Sequence, residues 1–414
     1  MPQHYALRTP RTLDYALVAG AACLSIYWWY LRPLVYQDSR RSQNRVIRCN
    51  AREAARSILL QGTKSRSSAV STGSAEEEPP PYQPDAFPGA RDAETAYGTI
   101  KVFEWGPEHG EKVLLLHGIG TPCVALGDMA RQFARRGCRV MMFDLFGRGY
   151  SDAPGDLLYD DRLYTTQILL VLASSPLSWT GTSAFHIVGY SLGGALAASF
   201  AAYHANVLRS ATFICPGGLI RPSHVSFKSR IFYSEGILPS WLLSRLAKQR
   251  LEPKPGTPSA DVPDPEAALD KVDGRDADEV VFDQVPVRAD DASGPKVGDV
   301  VKWQLRNNAG FVPAYVSSIR HAPIYGHHDG VWKLLGEQLA WRRRGDESRP
   351  GLPGGKICLI LAERDPIVIK EEWIADSIAV LGEDAVDIRI IKGGHEIAIS
   401  KGREVADVTM ASWR

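Results

Sequence analysis

The chain has 414 residues, enough for two to three structural units. Hydrophobic residues make up 44% and charged residues 23%, and 48 Lys plus Arg balance 47 Asp plus Glu at a net charge of +1. These are globular values, and the balance argues against a nucleic-acid binder. Six Cys with no C-x-x-C pair argue against a disulfide scaffold and a zinc ribbon.

Leu13 to Leu31 reads LDYALVAGAACLSIYWWYL, with no charge after Asp14 until Arg32. As a helix this run spans about 28 Å, close to the hydrocarbon thickness of a bilayer. Tyr15 stands at one end and Tyr27, Trp28, Trp29 and Tyr30 at the other, the placing of an interfacial belt. The run predicts a single membrane-spanning helix over 13–31, within an anchor of residues 1–36. A secretory signal peptide is the main rival, but bulky Trp and Tyr fill the place of a small-x-small cleavage site. Arg8 and Arg11 precede the run; Arg32, Arg40, Arg41, Arg45, Arg48, Arg52 and Arg56 follow it. The positive-inside rule then puts the C-terminal body in the cytosol. The Arg-rich, acid-poor start also leaves a mitochondrial presequence open.

Residues 37–96, rich in Arg, Ser, Glu and Pro, read as a flexible linker. A second polar stretch at about 252–297, rich in Pro and Asp, reads as a disordered acidic insertion. From about residue 97 short apolar runs alternate with helical patterns. KVLLLHG, RVMMFDL, FHIVGYS, SATFICPG, KICLILAERD and AVDIRIIKGG predict strands covered on both faces. The alternation predicts an α/β fold with a mostly parallel sheet, whose ligands bind beyond the carboxyl ends of the strands.

The chemistry-bearing residues stand at those ends. Gly189-Tyr190-Ser191-Leu192-Gly193 fits G-x-S-x-G between an apolar strand and an Ala-rich helix, the setting of a nucleophile elbow. Gly189 and Gly193 leave room for the sharp turn. A serine hydroxyl needs a base, and the base an orienting acid. His395 follows the last strand and Asp365 the one before it, which gives the chain order Ser191, Asp365, His395. Glu363 is the rival acid, since two residues along a strand keep one face. Asp365 is preferred because its R-D-P setting starts a loop. The oxyanion donors expected are the amides of Leu192 and of Ile119 in LLLHGIG. His117 reads as a structural loop residue. His321, His327, His328 and Asp329 fit no ligand spacing, and no metal or cofactor is expected.

Together LLLHGIG, FDLFGRGYSD, GYSLGG, LAERDPIV and GGHE resemble the α/β-hydrolase superfamily in its lipase, esterase and epoxide-hydrolase-like branch, over about residues 97–414. The resemblance implies an eight-stranded sheet with a helical cap after the sixth strand. It implies a hydrolase core at 97–216 and 351–414, a cap at 217–350, and Ser191, Asp365 and His395 as triad. Asp144 matches a structural turn of that branch. Trp303, Phe311 and Tyr315 are then candidates for the acyl pocket or for plain core packing. Arg342 to Arg344 read as a solvated basic loop. Serine at position 191 departs from the family's epoxide hydrolases and haloalkane dehalogenases, which carry Asp there. The chain is also similar to membrane-anchored fungal hydrolases, including thiohydrolases that release polyketide chains from carrier proteins. The expected function is hydrolysis of an ester or thioester of an apolar substrate, with a carrier protein as partner if the bond is a thioester. A non-catalytic receptor or scaffold on the same fold is the rival from another class.

Overall fold

A computed structural model of the protein describes residues 45–54, 80–252, 282–287, 293–345 and 349–413. The apolar runs form strands. β1 (Ala90–Thr95) and β2 (Gly98–Trp105) are followed by β3 (Lys112–Leu116), β4 (Arg139–Phe143), β5 (Phe185–Tyr190), β6 (Leu208–Ile214), β7 (Ile357–Ala362) and β8 (Val386–Ile391). They make one eight-stranded sheet in the order β1-β2-β4-β3-β5-β6-β7-β8. β2 is antiparallel to β1 and β4, and the other neighbours are parallel. Every residue of β5 and β7 is buried, as strands covered on both faces require. β8 lies at the edge and leaves Ile390 exposed.

From β4 the chain crosses β3 to reach β5, and the strand order reverses there. A crevice opens beyond the strand ends at such a switch point. α1 (Gly127–Arg135) and α2 (Asp161–Ala173) precede α3 (Leu192–His204), which starts directly after β5. α3 is buried nearly all round; Ala195, Ala197, Ala198 and Ala201 let it lie close to the sheet.

Between β6 and β7 come α4 (Phe227–Tyr233), α5 (Ser240–Leu251), α6 (Val297–Asn307), α7 (Phe311–His321) and α8 (Lys333–Arg343). α9 (Lys370–Leu381) joins β7 to β8, and α10 (Ile397–Ser400) and α11 (Gly402–Ala411) close the fold. The expected cap over 217–350 reaches too far: α8 packs on α3 and α9 and belongs to the layer beside the sheet. The acidic insertion expected over 252–297 is also shorter. Phe282–Gln284 forms a 3-10 turn, Pro286 bridges Lys296, and Val285 and Val287 are buried. A few apolar residues suffice to fold the end of an otherwise polar stretch.

The linker expected over 37–96 is likewise folded in part. Val46–Ile47 pairs antiparallel with Ala153–Pro154, and β1 begins at Ala90. Cys49, Tyr82 and Phe87 are buried. Arg52 reaches Asp152, with Nη2 at 2.7 Å from Oδ1 and both side chains nearly solvent-free. The Asp152 carboxylate also accepts from the Cys49 amide at 2.8 Å and the Thr99 amide at 2.9 Å. Composition averages hid a basic residue whose partner lies 100 positions away. Residues 13–31 lie outside the described residues, among which no helix is long and apolar enough to cross a membrane.

Removing one partner of a buried pair leaves an uncompensated charge, at a cost of about 3–5 kcal/mol. Arg48 Nη1 also lies 3.3 Å from Asp152, so Arg52→Ala should lower stability toward the low end of that range in urea unfolding. A chain starting at residue 90 should unfold at a lower temperature than one starting at residue 45. Equal midpoints for the two truncations would show that the Arg52–Asp152 pair contributes nothing.

Candidate active site

Ser191 sits in the turn from β5 to α3 at φ 54° and ψ −118°, a left-handed conformation that L residues rarely adopt. Two glycines make the turn possible. A Cβ on Gly189 would lie 2.1 Å from the Gly193 carbonyl oxygen, and one on Gly193 would lie 2.3 Å from that of Leu116. Four backbone bonds hold the turn. The Ser191 amide donates to Ile214 at 3.0 Å, and its carbonyl accepts from Gly194, Ala195 and Gly217 at 2.9, 3.2 and 3.0 Å.

The structure brings the three expected side chains together. The Ser191 hydroxyl lies 3.0 Å from His395 Nε2, and His395 Nδ1 lies 2.7 Å from Asp365 Oδ2. All three residues are buried. The second oxygen of Asp365 accepts from the amides of Ile367 at 2.8 Å and Val368 at 2.9 Å. The carboxylate is therefore fixed from both sides. Glu363 is exposed and takes no part. β7 ends at Ala362, so the same-face argument for residue 363 does not hold once the chain turns.

The amides of Ile119 and Leu192 border the same space, and among the described residues neither has a hydrogen-bond acceptor. A hydroxyl, an imidazole and a carboxylate in series, beside two such amides, can pass a proton and hold a developing oxyanion. The walls are Ile119, Leu192, Ile220, Ile324, Ile367 and Val368. They enclose a cavity of about 10 Å3, room for about one water molecule. Trp303, Phe311 and Tyr315 do not line it. Trp303 packs against Tyr150 and Tyr82, with ring centroids at 5.0 and 5.5 Å, and Phe311 lies beside Tyr315. Of the cap histidines, His321 pairs with Glu235 and His328 with Asp376, so they do not converge. Arg342 is half-buried and ties its helix to the Gly351 carbonyl at 2.8 Å, a structural place for a side chain read as solvated.

One residue matters here that sequence reasoning passed over. Cys215, at φ 41°, lines the space, and its sulfur, the Asp365 carboxylate and the His395 ring lie within 4.8 Å of one another. Burial, and then the Asp365 charge, push its thiol well above its ordinary range. A positive-φ cysteine after a strand leaves no mark in a sequence. His117 is the structural loop residue its setting predicts, and it holds the loop that carries the Ile119 amide. Its Nε2 accepts from the Leu145 amide at 2.8 Å, so the proton is on Nδ1, which donates to the Gly118 carbonyl at 2.8 Å. That carbonyl shares a peptide plane with the Ile119 amide, so the ring helps to aim it.

Comparison with known proteins identifies the family. Residues 113–408 match the sequence model of the alpha/beta hydrolase family. The chain belongs to that family. It is 26% identical over 147 residues to the Arabidopsis thaliana protein named probable lysophospholipase BODYGUARD 4, covering 35% of this chain and 31% of that one. It is 38% identical over 78 residues to probable lysophospholipase BODYGUARD 3 of the same plant, covering 19% and 15%. The chain thus spans less than a third of the length of these relatives. Among solved structures, a carboxylesterase of the thaumarchaeon Nitrososphaera gargenis is 16% identical with a TM-score of 0.48, covering 78% of this chain and 97% of that one.

Burial holds His117 neutral, with a pKa of about 3 against an ordinary 6.5. The unfolded chain binds a proton there below pH 6.5 and the fold does not. Stability is therefore full above about pH 6.5 and falls as pH drops toward 3, by about 1.4 kcal/mol per pH unit. Urea midpoints of His117→Gln should decline less steeply between pH 7 and 5 than those of the wild type. Parallel slopes would remove His117 from the acid sensitivity.

Proposed function

We propose that the protein is a membrane-anchored serine hydrolase that cleaves the acyl bond of an apolar, lipid-like ester through an acyl-enzyme. The observation that carries the reading is the series from Ser191 through His395 to Asp365, at 3.0 and 2.7 Å. His395 takes the Ser191 proton as the hydroxyl attacks the carbonyl carbon. The oxyanion forms against the amides of Ile119 and Leu192. His395 then returns the proton to the leaving group, and water, activated by the same ring, releases the acyl chain. Asp365 fixes the tautomer, because its carboxylate accepts a hydrogen bond from Nδ1–H and keeps that proton on the ring.

Three features support an apolar acyl group. The space around Ser191 is walled by Ile, Leu and Val side chains. The run 13–31 is long enough to span a bilayer and would hold the site beside its substrate. The two Arabidopsis relatives bear the name of enzymes that act on lysophospholipids. The positive-inside rule places the catalytic body in the cytosol. A thioester held on a carrier protein differs only in its leaving group, so acyl thioesters belong in the same substrate panel.

Ser191→Ala should lose roughly 10^4–10^6-fold in kcat and all labelling by a fluorophosphonate probe, with the fold intact. Asp365→Asn should lose roughly 10^4-fold through the wrong imidazole tautomer, while Glu363→Gln stays near wild type. Substantial turnover by Ser191→Ala on a panel of esters and acyl thioesters of varied chain length would sink the assignment.

The full-length protein should stay in the pellet on alkaline carbonate extraction of membranes. Release into the supernatant would mean that residues 13–31 do not span a bilayer, and a cleaved targeting peptide would then be the better reading.

A further inference from the structure

The loop carrying the Ile119 amide is gripped from a second side. After β4 the chain folds back and buries Arg148 completely. Its Nε donates to the Ile119 carbonyl at 3.1 Å. Its Nη1 donates to the Phe146 carbonyl at 2.9 Å and the Tyr164 hydroxyl at 3.0 Å. Its Nη2 donates to the hydroxyl of Ser318 on α7 at 2.9 Å. Every acceptor is neutral, and among the described residues no carboxylate is ion-paired with this guanidinium.

A second buried cap residue holds the next carbonyl. Gln304 on α6 donates from Nε2 to the Gly120 oxygen at 3.0 Å. Its Oε1 accepts from the amide of Gly149, the neighbour of Arg148, at 2.8 Å. The consecutive carbonyls of Ile119 and Gly120 are thus fixed by one residue of the turn after β4 and one of the cap. His117 fixes the carbonyl before them.

A desolvated cation among neutral acceptors is costly to the resting fold. Its planar fork nevertheless holds four neutral acceptors in one geometry, and one of them is the carbonyl of the residue whose amide would face the oxyanion. We propose that Arg148 and Gln304 are positioning residues for the oxyanion site. The cap, through Ser318 and Gln304, holds the two peptide units that follow the Ile119 amide, and so fixes the place of the loop on which that amide stands; the site is competent only when the cap is seated. This inference rests on the serine-hydrolase reading of Ser191.

The test uses the full-length protein and two readouts. One is kcat and KM on a soluble short-chain ester. The other is the inhibition constant of an alkyl boronic acid, which bonds to Ser191 and puts a tetrahedral oxygen against the same amides. Gln304→Leu should lower kcat roughly 10- to 100-fold with KM nearly unchanged, and weaken the boronic acid by the same factor. Ser318→Ala should lower kcat and weaken the boronic acid, each roughly threefold to tenfold, since it removes one bond to Arg148 and keeps the charge. Arg148→Met should exceed both, and Arg148→Lys should fall between, having the charge without the fork. If Arg148→Met does not fold, Gln304→Leu and Ser318→Ala carry the test alone.

Boronic-acid affinities within twofold of wild type in those two variants would overturn the proposal, as would a raised KM at unchanged kcat, because the cap would then only shape the pocket. The underlying reading fails separately: a wild type that neither takes the fluorophosphonate label nor binds the boronic acid is not a serine hydrolase.

Discussion

Ser191 has to leave the strand and enter the helix within one residue, and the rest of the site depends on that turn. A left-handed serine costs about 1–3 kcal/mol, so its surroundings must over-determine it. They do so from three directions. Ile214 at the end of β6 takes the Ser191 amide, the first turn of α3 and Gly217 take its carbonyl, and Gly193 lies against the end of β3. Each of these partners sits at the carboxyl end of a central strand. The sheet order, with β3 and β6 flanking β5, is what brings them there. Exposing the hydroxyl on a tight corner is therefore a property of the whole sheet, and the motif only permits it.

Around this turn the fold keeps polar groups where a plain core would not. Asp144, Arg148, His117 and Gln304 are all solvent-free. Burial raises the Asp144 carboxyl above its ordinary range, although the amides of Cys123 and Tyr150 oppose the shift. Burial lowers His117 in the same way. Such groups are stable only when every donor and acceptor is met, which makes the loops after β3 and β4 rigid. Rigidity of this kind would suit the role proposed for the Ile119 and Leu192 amides, which is to meet a charge formed only in passing.

The local features of this site were legible in the residues. A glycine-flanked serine after an apolar strand, and an acid and a histidine each after a later strand, are short-range signals. The choice of Asp365 over Glu363 followed from R-D-P marking the end of a strand, although the same-face argument kept the rival open. What stayed hidden were contacts between distant parts of the chain. Arg52 and Asp152 are both ordinary surface-type residues until the fold joins them. Gln304 looked like any polar residue on a cap helix, and it holds a loop 184 positions away. Trp303 has the character of a pocket aromatic, but Tyr82, from a stretch read as linker, claims it. Composition averaged over a window cannot see a single buried partner.

The early docking of the N-terminal segment has a mechanical consequence. If nothing before β1 touched the body, the chain from residue 31 to residue 90 could stretch about 200 Å. Val46 and Ile47 are in fact tied to Ala153 and Pro154, and the buried Arg52 pair sits just behind them. The residues from 31 to 45 can span at most about 50 Å even if fully extended. If the proposed anchor holds residue 31, the body would stay within about that distance of it. Its orientation would be restricted as well as its distance, because the leash leaves from one fixed point beside β2 and the turn after β4.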